Sequence, residues 1–214
     1  MEGGGLTSSG IQLSNIGDYN NVEDIYVIGN ASLFSLFLSV IAARIGNIGG
    51  LTLNTYFDMF GLEGVLSNTM LIVLILQVTR WIYTTFYNKF GRPWSPFVFL
   101  AIVLAVQLLH DVVFYYGVIN VLPSGKNEMV DILKQYAKEN RYAAVGSHSI
   151  FLITVSLVAM IMKDMSDISK LIIPSIVLYL FPYILSIIVK RKIEIPPKKE
   201  VKKEDGFRDA RGFY

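Results

Sequence analysis

The stretch FVFLAIVLAVQLLHDVVFYYGVI (residues 97–119) decides how this chain is read. It holds one acid, Asp111, beside one histidine, His110, in an otherwise uncharged run. A helix rises about 1.5 Å per residue, so a run of this length covers the roughly 30 Å hydrocarbon core of a bilayer. Four other stretches have similar character: 25–43, 65–87, 142–162 and 171–189. The last contains Pro174 and Pro182, which would break a soluble helix but are tolerated as kinks in a membrane span. The expected fold class is therefore an all-α integral membrane protein. It has five transmembrane helices, or four if 25–43 lies flat at the interface.

Composition agrees. Of 214 residues 53% are hydrophobic and 17% charged, with a mean hydropathy of +0.49. A soluble domain carries about 25% charged residues. There is no cysteine, so disulfides and thiolate-bound metals are excluded. Residues 1–26 contain no Lys or Arg and four acids, Glu2, Asp18, Glu23 and Asp24. They do not read as a secretory signal, and Glu2 rules out N-myristoylation. Three parts follow: a polar leader over 1–24, flexible or held by a partner, a helical bundle over 25–189, and a cytosolic-side tail over 190–214.

Basic residues orient the bundle. With five spans, the tail, the 120–141 loop and the 44–64 loop share one side and hold nine, four and one Lys or Arg. The other side holds Lys89, Arg92, Lys163 and Lys170. This asymmetry places the C-terminus in the cytosol and the N-terminus outside. With four spans, only the side of the first 64 residues changes.

The loop PSGKNEMVDILKQYAKEN (123–140) predicts one amphipathic helix. Asn127 is a suitable N-cap, with Glu128 and Asp131 in the first turns. Met129, Ile132, Leu133, Tyr136 and Ala137 form one apolar stripe. The polar face carries both signs, which suits packing on a protein surface or on the chain's own bundle, or a connector lying at the interface. A helix made for anionic lipid would be more uniformly basic. The tail differs in kind. Residues 190–203 hold seven basic groups and two acids, and the end mixes charge with aromatics. Its candidate partner-binding residues are Lys198, Lys199, Phe207, Arg208, Arg211, Phe213 and Tyr214.

Ionisable groups inside spans are expensive and are functional hypotheses by default. Arg80 lies about 10 Å below the outer end of its span and Asp111 about 12 Å from the inner face. Across a 30 Å core the two do not meet. Arg80 is expected to snorkel outward as an interfacial anchor with Trp81 and Trp94, near Tyr83 and Tyr87. His148 lies about 9 Å from the same inner face as Asp111 and is its expected partner. Gln107, Asp111 and Tyr115 are spaced i, i+4, i+8, one polar stripe turned toward the fourth span. Adjacent helical residues point about 100° apart, so His110 is not expected to share the Asp111 site. The cluster Gln107, Asp111, Tyr115 and His148 reads as an interhelical hydrogen-bond clamp, with a proton or ion pathway as the competing reading. Two histidines and one acid make an unconvincing metal set.

The remaining signals are weak. The sequon at Asn30 falls inside the first span, and GNIGG (46–50) reads as a turn rather than a dimer face. No phosphate loop, dinucleotide fingerprint or hydrolase motif is present. Nothing in the sequence calls for catalysis, a cofactor, a metal, a nucleic acid or a small-molecule substrate.

One ordered string carries a resemblance. His110, Asp111, Phe114 and Tyr115, then Pro123, Gly125 and Asn127, then Tyr136, Ala137, Glu139 and Asn140 span about 35 residues. This order resembles multi-pass virion membrane proteins of nucleocytoplasmic large DNA viruses of the algal giant-virus type. The resemblance implies a structural protein of the internal virion membrane, derived from host endoplasmic reticulum. It further implies a cytosolic side that faces the capsid, and a tail and amphipathic loop that contact capsid or minor capsid proteins. The alternative is a small channel or transporter built on the Asp111 stripe.

Overall fold

The computed structural model describes residues 13–188. Within them lie six α-helices: α1 Asp24–Gly46, α2 Gly50–Ile82, α3 Pro96–Phe114, α4 Glu128–Asn140, α5 Tyr142–Met162 and α6 Asp167–Leu185. Five are long and apolar enough to cross a membrane, the first stretch included. The sixth, α4, is the helix expected in the 120–141 loop. It starts where predicted, with Asn127 Oδ1 accepting from Val130 N at 3.0 Å. Serines cap two others: Ser95 before α3, with Pro96 in its first turn, and Ser166 before α6. Helix α6 runs through both Pro174 and Pro182.

Helices α1, α2, α3 and α5 form a closed cycle of neighbours, and α6 packs on α1 and α2 from outside it. Two apolar clusters fill the bundle. One joins Ile28 of α1, Leu76 of α2, Phe99 and Val103 of α3 and Leu152 of α5. The other joins Phe37 of α1, Phe57 of α2, Ile132 of α4 and Phe181 of α6, with Phe37 and Phe181 edge to face at 5.2 Å. The apolar stripe of α4 thus packs on its own bundle. Outside, the surface stays apolar. Only 17% of the most apolar window of α3 and 11% of that of α6 are buried inside the protein. Such a continuous exposed apolar surface is what a lipid solvent accommodates and water does not.

Two expectations need correction. The 44–64 segment is not all loop: α2 begins at Gly50, the last residue of GNIGG, and its first eleven residues pack beside α1 and α4. The bend that separates this arm from the span proper is at Gly61, with φ 47 and ψ −126. A side chain at that positive φ would be strained, so the sequence bends where it offers a glycine. The leader, read as flexible or partner-held, is packed over 13–23. Ile16 is fully buried, and Trp94 Nε1 donates to Leu13 O at 3.0 Å. Residues 1–12 and the tail residues Lys198, Lys199, Phe207, Arg208, Arg211, Phe213 and Tyr214 lie outside the described residues.

Candidate functional site

Three polar groups sit inside the bundle, and helix geometry puts each together. The first is the Asp111 cluster between α3 and α5. One turn apart on α3, Gln107 Nε2 donates to Asp111 Oδ2 at 2.9 Å. From α5, His148 Nδ1 approaches the same oxygen at 3.3 Å, and Ser149 Oγ donates to Gln107 Oε1 at 2.9 Å. A carboxylate only accepts, so the ring nitrogen facing it carries the proton. Gln107 is fully buried, whereas Asp111 and His148 are about a quarter exposed, at 25% and 28%. The cluster therefore opens to the bundle surface on one side and is closed by Gln107 on the other.

The expected pairing of Asp111 with His148 is present, and two details differ from expectation. His110 does reach the site: its Nδ1 lies 3.2 Å from Asp111 Oδ1 while its ring stacks on Phe114. Divergent Cβ directions do not prevent two neighbouring side chains from leaning their tips together. Each Asp111 oxygen thus faces one imidazole. Tyr115 does not join. It is 44% exposed, its hydroxyl has no hydrogen bond among the described residues, and it opens the π turn Tyr115–Ile119. The i, i+4, i+8 stripe drifts by about 80° over eight residues at 100° each, enough to rotate Tyr115 off the α5 face.

The second group corrects the reading of Arg80. Its side chain does not reach outward but is fully buried. The guanidinium donates to Gln77 Oε1 at 2.7 Å, to Asn21 O at 2.6 Å and to Asp18 O. Asp24, also buried, lies 3.5 Å away and pairs with Lys163, the residue after α5, at 2.8 Å. Lys163 Nζ also donates to Asn15 O at 2.5 Å. The leader folds back over the bundle end and brings its carbonyls to both cations. A depth estimate for an isolated span does not include such a lid. Trp81 is half exposed and sits edge to face with Phe86. Trp94 is instead part of the leader contact, packed against Tyr83 at 5.3 Å.

The third group was not anticipated. Arg44, buried near the end of α1, pairs with Asp58 of the α2 arm at 2.8 Å and donates to Leu185 O of α6 at 3.0 Å. Asn54 donates to Ala43 O at 3.1 Å and to Asn47 Oδ1 at 3.2 Å. This set ties the turn between α1 and α2 to the end of α6. The available sequence signal was an Arg and an Asp flanking a Gly-rich turn.

Among the described residues no group of three or more His, Cys, Asp or Glu side chains is arranged to hold a metal. No protein-family model, curated protein or solved structure matches the chain.

Proposed function

We propose that the chain is a structural, non-enzymatic integral membrane protein of a large DNA virus. It is anchored in the internal virion membrane, with the tail and α4 turned toward minor capsid proteins. The resemblance of the 110–140 string supports the viral assignment. The positive-inside asymmetry supports a cytosolic, capsid-facing C-terminus. The observation that carries the structural reading is how the bundle's charges close on themselves. Asp24 lies against both Arg80 and Lys163, which also donate to leader carbonyls, and Arg44 meets Asp58 at the opposite end of α1. Charges consumed in this way lock helices together; a conduit instead needs a polar path from face to face.

The test is removal of residues 190–214 from the virus-encoded chain. Loss of the truncated protein from detergent-stripped particles is expected, with its membrane insertion intact. Unchanged retention and unchanged capsid assembly would contradict the tether.

A second reading rests on one observation: each oxygen of Asp111 faces a histidine, at 3.2 and 3.3 Å. That arrangement suits proton passage. Proteoliposomes separate the two readings. A proton leak abolished by Asp111→Asn favours transport, and a leak equal to that of empty vesicles favours the anchor.

A further inference from the structure

We propose that the cavity between the end of the third span and α4 binds the phosphate group of an anionic lipid. The inference rests on the membrane reading above. The cavity has a volume of about 470 Å³ and is lined by Tyr115, Ile119, Asn120, Lys134, Ala137 and Lys138. Lys134 and Lys138 are spaced i, i+4, so both ammonium groups leave α4 on one side. Neither forms an ion pair among the described residues. Lys134 Nζ donates to Leu122 O, which fixes the group and leaves it two further donors.

The helix carries both signs, but two of its acids are committed elsewhere. Asp131 Oδ2 accepts from Gly125 N at 2.7 Å. Glu139 accepts from the Thr52 hydroxyl and, at 2.8 Å, from Gln135 Nε2. None of the acids of α4 lines the cavity, so its wall is more cationic than the helix composition implies.

The opposite wall is the π turn, closed by Asn120 N donating to Tyr115 O at 2.8 Å. Single π turns are rare and recur at functional sites. This one places Tyr115 and Asn120 in the same cavity lining as Lys134 and Lys138, together with Ile119 and Ala137. Two cationic and two neutral polar residues beside apolar ones suit a phosphate attached to an acyl-bearing backbone. The end of a spanning helix beside an amphipathic one is also where headgroups lie. A soluble phosphate ester presents the same oxygens, so the test must separate the two sources.

The full chain is placed in nanodiscs of equal parts phosphatidylcholine and phosphatidylglycerol, and the lipids it retains on release are counted by native mass spectrometry. Phosphatidylglycerol is expected to be retained over phosphatidylcholine. Lys138 is exposed and its ammonium group has no hydrogen bond among the described residues, so Lys138→Gln tests the cavity without disturbing the fold. It should lower the retained ratio about fivefold, the equivalent of roughly 1 kcal/mol per basic group. The Lys134→Gln, Lys138→Gln pair should lower it further. Equal retention of both lipids in a chain that inserts normally overturns this inference alone. Displacement of phosphatidylglycerol by glycerol 3-phosphate overturns the lipid assignment in favour of a soluble ester. Failure to insert overturns the membrane reading as well.

Discussion

Asp24, the first residue of α1, and Arg80, in the last turn of α2, lie 3.5 Å apart with both side chains buried. They join the start of one span to the far part of the next, and Lys163 adds a third span at 2.8 Å. Breaking a buried pair by removing one partner leaves a charge uncompensated, which typically costs about 3–5 kcal/mol. Asp24→Ala is therefore expected to destabilise strongly, as read by unfolding in detergent. Asp24→Ala with Arg80→Met is expected to recover part of the loss, because the stranded guanidinium is gone.

The Asp111–His148 contact predicts a smaller effect. Interhelical hydrogen bonds in membranes average about 0.6 kcal/mol, with a maximum near 1.7. His148→Ala should fall in that range by the same unfolding measurement. Gln107→Leu should be at least as damaging, since Gln107 is fully buried and bonds both Asp111 and Ser149.

The leader makes its closest approach at Gly17. A Cβ there would meet Trp94 at 2.8 Å and Tyr83 at 2.9 Å. Gly17→Val should push the leader off the aromatic cluster, at about 1–3 kcal/mol for overpacking. Red-shifted Trp94 fluorescence, measured in a Trp81→Phe background, and faster proteolysis within residues 13–23 would report the displacement. Unchanged emission and cleavage would mean that the leader is not held there.

Burial pushes the Tyr136 hydroxyl above its ordinary value of about 10. The folded chain keeps this proton where the unfolded chain loses it. Stability from this group is therefore complete below about pH 10 and declines as pH rises above it. The difference in phenolate absorbance between the wild type and Tyr136→Phe should show a titration displaced to higher pH.

Much of the fold was legible because its signals are local. Apolar runs of spanning length, the Asn127 cap and the α4 stripe depend on rise and periodicity alone. The Asp111–His148 contact was legible for a related reason: both residues were placed at one depth by counting from the same face. Arg80 was misplaced by depth because two of its acceptors come from outside any span. Asp18 and Asn21 reach it through backbone carbonyls, which leave no side-chain pattern to read. Tyr115 was lost to angular drift and a π turn, and Arg44–Asp58 to a helix that begins where a loop was expected.

The proposed place of this chain in a virion membrane is tested by cross-linking mass spectrometry of purified, protease-treated particles. Peptides of this chain are expected in the particle membrane, with Lys198 or Lys199 cross-linked to a minor capsid protein. Its absence from purified particles, with abundance only in infected-cell membranes, would overturn the proposal.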